Sequence, residues 1–487
     1  MRLFKTIRVR DGLLAPRFPE EIENELFNIF TFKNPQRAIM ERFSPYGIPE
    51  SVPPNIYLCE TSDDRKHLRI PRGFTLSSLS PSTQEYFNNK IRFRDERVSN
   101  PAKYPVPLRS LNKEQEILSR SFSSLIRTNA CPYGGVQMIS PTGTGKTIAL
   151  SECARLTRET ALILVPTNLI RDAWYDDLNT YFGLTKKDIG IIQGSKFHLK
   201  KPFTIAMIPT LCRKPSSWSK VFPYFGAVLV DECHTSAQTS TYDFLYNCPA
   251  KWIIGATATD ETPYKYKVSS VFGVPITRIE NTQQETDTSY PLSKARVVRT
   301  KFEYTPRIDT GVVTLNFQEL LDSLSEDDAR NNVIVENAFS DWEQGHSVLI
   351  TTRRVAHAYL LASMMEANGV PTNVFSAPSF EKPIHRQILI SSILTRKARM
   401  IIASEQIIRL GANLNPLDRL HVATPIASKT NLEQLIGRIR RKDKSSTSTK
   451  KDCGVTYYLD EQVPYLRRLY FNTFMSVCRK LKVKDLC

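Results

Sequence analysis

The chain has 487 residues, 41% of them hydrophobic and 24% charged, so it is long enough for about three globular domains, each with its own core. Its 66 Lys and Arg against 49 Asp and Glu leave a net charge of +17, which favours a polyanionic partner, and no stretch is apolar for long enough to sit in a membrane. MRLFKTIRVRDG opens the chain without the apolar segment of a secretory signal, and the nine cysteines form no C-x-x-C pair, so structural zinc and a disulfide framework are not expected and an intracellular chain is.

Residues 1–104 read as a small α+β unit. RLFKTIRV is a strand, PEEIENELFNIF a helix entered at a proline, and NPQRAIMERF a second short helix. NIYLCE and HLRIPRGF are further strands, the second ending in a basic turn at Arg72-Gly73. The charged, proline-punctuated run RFRDERVSNPAKYPVP at 92–107 reads as a linker. Over residues 1–110 Lys and Arg exceed Asp and Glu by five, a balance that suits a nucleic-acid surface.

From 105 to 285 short apolar runs alternate with helices: VQMIS, ALILVP, FTIAMI, AVLVDE and WIIGATA. Such runs suit a parallel sheet covered on both faces, with functional residues at the carboxyl ends of its strands. The first run leads into ISPTGTGKT, Ile139 to Thr147, and then a helix. In that geometry the loop Thr142, Gly143, Thr144 and Gly145 turns backbone N–H groups onto the phosphates of ATP. Lys146 then reaches the β- and γ-phosphates and Thr147 ligates Mg²⁺. The first glycine of G-x-x-x-x-G-K-[ST] is Ser140 here.

VLVDECHT places Asp231, Glu232 and His234 directly after a strand. An Asp-Glu pair there is by itself an ordinary helix cap. Beside a phosphate loop, Asp231 becomes the Mg²⁺ residue, through water, and Glu232 the group that orients or deprotonates the attacking water. Cys233 and His234 have no partners at zinc-ligand spacing. GATAT ends another strand. Its Thr257 and Thr259, with His234, are expected to bond the acidic cluster and report the nucleotide state to a second domain.

Residues 286–335 read as a connecting region with a helical approach. A second α/β sheet follows over 336–460, in HSVLITT, TNVFSA, RMIIAS and DRLHVATP, without a phosphate loop. KDKSSTSTKK is a basic loop, and 461–487 reads as a basic amphipathic helix. Lys and Arg exceed Asp and Glu by eight over 436–487; a basic amphipathic helix suits membranes and partner proteins as well as nucleic acid, which has a modest preference here.

SPTGTGKT, LVPT, DECH, GATAT and QLIGRIRR, in that order over about 105–445, resemble the motif set of superfamily 2 helicases. The resemblance implies two RecA-like parallel-sheet domains in tandem, here behind a small α+β amino-terminal domain, with ATP and Mg²⁺ as cofactors. It implies that Gln115 recognises adenine and that Gln434, Arg438 and Arg441 complete the catalytic set as Q-x-x-G-R-x-x-R. Thr167, Arg171, Thr210, Thr351, Thr352 and Arg353 become backbone contacts to nucleic acid. Where the family has G-x-x-L-D or a near relative, this chain has GANLN, so Gly411 and Asn415 are coupling residues with an amide in place of a carboxylate. Within the superfamily the chain is most similar to the branch-migration helicases of phages T4 and T5 and, near them, the poxvirus transcript-release helicase.

The expected function is an ATP-dependent DNA helicase that remodels forks and four-way junctions in recombination, repair or replication. Its partners are duplex and branched DNA and recombination or replication proteins, in the cytoplasm of an infected cell if the chain is viral. Residues 1–104 are expected to select the branch, with Arg69 and Arg72 touching it. An RNA helicase or transcript-release factor, and a non-catalytic nucleic-acid-binding module, are the alternatives. The intact Lys146, Thr147, Asp231, Glu232, Arg438 and Arg441 oppose the last.

Overall fold

The computed structural model describes residues 4–35, 37, 52–128, 133–141, 144–212, 215–237, 239–258, 264–279, 292–305, 308–309, 312–313, 317–375, 391–393, 395–404, 416–440, 453–481, 483 and 485–486. Two units, Met1–Glu280 and Asn281–Cys487, divide the chain.

The larger sheet of the first unit runs in the order Lys196–Phe197, Gly190–Gln193, Phe203–Met207, Ala161–Val165, Ala227–Asp231, Trp252–Thr257, Gly135–Ile139, Pro275–Arg278. Every pairing is parallel except that of Lys196–Phe197, which folds back antiparallel on its neighbour. Strands Gly135–Ile139, Ala161–Val165 and Phe203–Met207 are buried at every position and largely apolar because both faces are covered. Helices Lys113–Thr128, Lys146–Thr157 and Asn168–Phe182 pack one face through Phe122, Leu150, Trp174 and Leu178.

On the other face, Phe244 and Phe272 share a continuous core with Ile7 and Leu13 of a five-stranded sheet and with Phe74 and Phe87, which lie outside its strands. That small sheet runs Glu60–Thr61, His67–Ile70, Leu13–Pro16, Lys5–Val9, Ile91–Asp95. Its last strand corrects the linker reading of 92–107: Ile91–Asp95 pairs in parallel along the whole of Lys5–Val9. The charges that suggest a linker are the solvent side of an edge strand.

Arg69 and Arg72 require a second correction. Arg72 is 4% exposed, and its guanidinium donates to the carbonyls of Ala250 (2.7 Å), Cys248 (3.1 Å) and Arg10 (2.7 Å). Arg69 pairs with Asp11 at 2.7 Å, donates to the Tyr246 carbonyl at 3.0 Å, and lies over the Tyr246 ring. Gly73 completes the seam, its N–H donating to the Ser270 carbonyl at 2.8 Å, and a methyl there would drive into the Ser269 carbonyl oxygen. These residues clamp the small sheet to the large one, so Arg72 has no surface left for nucleic acid.

The second unit holds a seven-stranded, wholly parallel sheet in the order Thr372–Phe375, Met400–Ser404, Val348–Thr352, Arg419–Val422, Cys453–Asp460, Leu292–Thr300, Asp485–Leu486. Leu292–Thr300, within the expected connecting region, is therefore a strand of this sheet. Its LSKARVVRT carries three cations and lacks the continuous apolar run of its neighbours. The basic tail is helical over Pro464–Leu469, takes a π turn at Tyr470–Phe474 and continues over Met475–Lys480. Its apolar side is used within the fold, with Tyr470 and Phe474 packed on Tyr457 of the sheet. Among the described residues no helix is long and apolar enough to cross a membrane.

Candidate nucleotide and nucleic-acid sites

The strand Gly135–Ile139 delivers the chain to Ser140, which is fully buried. Its N–H donates to the Thr257 carbonyl at 2.9 Å and its hydroxyl bonds Thr144 Oγ1 at 2.8 Å. The serine that replaces the first motif glycine thus ties the loop across itself and to the neighbouring strand. Gly145, at φ +78°, caps the helix Lys146–Thr157, and a Cβ there would collide with the Gln115 amide. Gln115 is itself buried. Its Nε2 donates to the Gly145 carbonyl at 3.2 Å, while Gln115 and Asn112 exchange N–H bonds at 2.8 and 3.0 Å. A glutamine expected to read adenine is also a brace for the phosphate loop. Thr142 and Gly143 lie outside the described residues.

Lys146 opens the helix and is 7% exposed. Its Nζ lies 3.4 Å from the Ser140 carbonyl, 3.3 Å from that of Pro141, and 3.5 Å from Glu232 Oε1. Asp231 ends the next strand but one, beyond Trp252–Thr257, and accepts the Glu232 N–H at 2.9 Å. Glu232 has φ +52°, a left-handed conformation that L residues adopt only under constraint. The second carboxylate oxygen, Oε2, is 3.3 Å from His234 Nδ1 and accepts from the Thr257 hydroxyl at 3.3 Å, and His234 Nδ1 and Thr257 Oγ1 are themselves 2.8 Å apart. Five of the expected residues, Lys146, Asp231, Glu232, His234 and Thr257, therefore meet at one end of three neighbouring strands. Thr259 lies outside the described residues.

Burial and the charge of Glu232 push the Asp231 carboxyl up. Burial presses Glu232 the same way, yet the His234 hydrogen bond and the Lys146 charge outweigh it and hold that group below the usual carboxylate range. The pair is thus split, with Glu232 keeping its charge to lower pH than Asp231. The Thr147 hydroxyl is within hydrogen-bonding reach of Asp177, whose carboxyl burial pushes up. Asp177 sits mid-helix in Asn168–Phe182, where no motif or spacing marks it. Thr147 and Asp231 each carry oxygen donors, the ligand type taken by Mg²⁺, a hard cation that keeps several waters and takes few protein ligands; among the described residues no group of three or more His, Cys, Asp or Glu could hold a metal ion.

Of the expected nucleic-acid contacts, three gather at the carboxyl ends of adjacent strands. Thr167 caps the helix Asn168–Phe182, Arg171 reaches Gln193 Oε1 at 2.6 Å, and Thr210 Oγ1 accepts the N–H of Gly194 at 3.1 Å. In the second unit the set changes. Thr351 and Thr352 are each 1% exposed, with hydroxyls donated to the carbonyls of His421 (3.3 Å) and Arg354 (3.1 Å). These inward hydroxyls cannot touch a bound strand. Arg353 is exposed, its guanidinium 5.0 Å from the centre of the Phe317 ring. Gln434 lies half-buried on the helix Lys429–Arg440. The Arg438 side chain, Arg441, Gly411 and Asn415 lie outside the described residues.

Residues 109–262 match the family model described as "Type III restriction enzyme, res subunit". The chain is similar to "Probable helicase D10" of Escherichia phage T5, 24% identical over 361 residues and 72% of each chain. It is similar also to "ATP-dependent DNA helicase uvsW" of Enterobacteria phage T4, 22% identical over 63% of this chain and 62% of that one. In fold it is similar to the solved structure "S. cerevisiae Dbp5 bound to RNA and ADP BeF3", with a TM-score of 0.52 at 13% identity over 78% of this chain and 90% of that one.

Proposed function

We infer that this chain is a superfamily 2 helicase related to the phage branch-migration DNA helicases, an ATP-dependent motor that moves on nucleic acid. The observation that carries the reading is the convergence of Lys146, Asp231, Glu232, His234 and Thr257 at neighbouring strand ends. A buried lysine beside a carboxylate held ionised is what phosphoryl transfer to water needs. The cation neutralises phosphate charge, and the acceptor orients the attacking water. Mg²⁺, held by Thr147 and through water by Asp231, would neutralise the remaining phosphate charge. Thr257 and His234 relay the state of Glu232 to the strand that ends in GATAT.

The two parallel sheets are read as a tandem RecA-like pair. Arg438 and Arg441 are assigned to the charge that develops as the γ-phosphoryl group leaves. Thr167, Arg171, Thr210 and Arg353 are assigned to the nucleic-acid backbone.

Duplex and branched DNA, in recombination, repair or replication, is the proposed substrate, and the small amino-terminal sheet is the proposed branch-selecting element. With Arg69 and Arg72 committed to the seam, that role passes to its outer face. Thr6 and Arg8 lie opposite Arg92 and Arg94 in parallel register, and all four are exposed. Lys5–Val9 is an inner strand, so Arg8 is not there to protect an edge. ATPase stimulation compared across single-stranded, duplex and four-way-junction DNA and RNA tests the reading. The largest stimulation is expected from the junction. Equal stimulation by RNA would move the substrate to RNA, and hydrolysis indifferent to every nucleic acid would overturn the motor.

A further inference from the structure

The basic tail contains a feature that the motor chemistry does not use. Its helix is interrupted by a single π turn at Tyr470–Phe474. Such turns are rare and recur where a helix has to re-aim side chains at a functional site. Here the turn packs Tyr470 and Phe474 on Tyr457, with ring centres 5.6 and 4.6 Å away, and points the Thr473 hydroxyl at the Ala427 carbonyl at 3.1 Å. Phe471 is left outside, 59% exposed, its ring edge-on to Tyr470 at 5.0 Å.

Phe471 does not stand on open surface. It walls a groove of about 810 Å³, with Val297 and Leu459 as its apolar floor. Arg299 and Arg467 stand at the groove against one carboxylate, Glu461, whose Oε2 is 3.5 Å from Arg299 Nε. An aromatic face, an apolar floor and guanidinium groups at one notch are the elements on which proteins stack single-stranded bases.

We propose that this groove holds an unstacked base of a nucleic-acid single strand, with the base on Phe471 and the flanking phosphates at Arg299 and Arg467. The proposal rests on the nucleic-acid motor reading above and adds a single-strand site to it. The same helix supports the helix Lys429–Arg440, through Thr473 at Ala427 and Lys480 paired with Glu433 at 2.8 Å. A strand seated in the notch therefore bears on the support of the arginine-bearing helix.

The test is equilibrium binding of the full chain to a twelve-residue thymidine strand, its uridine RNA counterpart and a duplex of equal length, with ATPase stimulation measured in parallel. Phe471→Ala is expected to weaken single-strand binding by about 5- to 100-fold, the usual cost of one lost stacking partner. Duplex binding should be unchanged. Phe471→Trp should restore the single-strand affinity, and Phe471→Leu, apolar but without a ring face, should not. The thymidine and uridine arms assign the notch to DNA, RNA or both. If the wild type is stimulated by single strands while Phe471→Ala binds them equally well, the notch is overturned and the motor stands. If Phe471→Leu matches the wild type, the groove is an apolar dock for another occupant and the proposal fails. A wild type that binds no nucleic acid removes the motor reading and this site together.

Discussion

Lys146 Nζ and Glu232 Oε1 lie 3.5 Å apart, one at the start of a helix and the other just past the end of a strand. They are 86 residues apart in sequence, with Lys146 buried and the Glu232 side chain about one-third exposed. Burial would neutralise an isolated carboxylate. Lys146 and His234 together keep this one charged. The same contact keeps the lysine charge at the mouth of the phosphate loop.

Thr257 is the proposed link between Glu232 and the rest of the motor. It is fully buried, 2.8 Å from His234 and 3.3 Å from Glu232 Oε2. Thr257→Val keeps the shape and removes the hydroxyl, so nucleotide affinity should be retained. Stimulation by nucleic acid should fall about 2- to 30-fold, the range for a change of 0.5–2 kcal/mol in coupling. Stimulation equal to that of the wild type would place the relay elsewhere.

The seam between the small and large sheets should behave as a structural joint. Arg72→Ala leaves three carbonyls without their donor, and hydrogen bonds to a charged group contribute about 1.5–3 kcal/mol each. Gly73→Ala forces a methyl into the Ser269 carbonyl. Both variants should unfold at lower temperature in a thermal melt, with nucleic-acid affinity lost only as fast as the fold. An Arg72→Ala chain with full thermal stability and weakened junction binding would return this arginine to the DNA surface.

Much of the candidate nucleotide site was legible in the sequence as a motif pattern, because local chemistry sets it. A loop that cradles phosphate needs Gly145 and Lys146, and a metal-water shell needs Asp231 at a strand end. The second sheet was legible wherever its strands are continuous apolar runs. Leu292–Thr300 escaped because its cations break that run. Arg72 and Thr351 escaped for a different reason. An arginine beside a turn or a threonine at a strand end reads as exposed, and only the packing partner decides whether it faces water or a buried carbonyl. Asp177 belongs to the same class, since its nearness to Thr147 comes from how two helices lie on one sheet.

The outer face of the small sheet gives an ionic-strength prediction. A cation that neutralises a backbone phosphate adds about 0.9 to the slope of log affinity against log salt. Replacing Arg8, Arg92 and Arg94 together with Gln should lower that slope for a four-way junction by about 2 to 3, with unstimulated hydrolysis unchanged. An unaltered slope would remove this face from the binding surface.

His357 gives the second unit a pH dependence. It is 1% exposed, bonded through Nε2 to Asn331 at 2.9 Å, and burial together with the nearby Arg330 charge lowers its pKa to about 3. A histidine with a depressed folded pKa costs nothing above its unfolded value of about 6.5. As pH falls below that, the unfolded chain takes up a proton that the folded chain refuses. Stability is then lost at up to about 1.4 kcal/mol per pH unit until the folded group titrates. Urea unfolding from pH 7.5 to 5 should show this fall, and His357→Gln should flatten it. Equal slopes in the two proteins would mean that His357 is charged in the fold.

The central claim is tested most directly by single-turnover and steady-state ATP hydrolysis of Glu232→Gln beside nucleotide binding by the same protein. Removing a positioned proton acceptor costs about 10²–10⁴ in rate, so the variant should bind ATP with wild-type affinity and lose hydrolysis by that factor. Lys146→Ala should lose binding as well. Hydrolysis by Glu232→Gln at the wild-type rate would contradict the assignment of this carboxylate, and with it the account of how the site works.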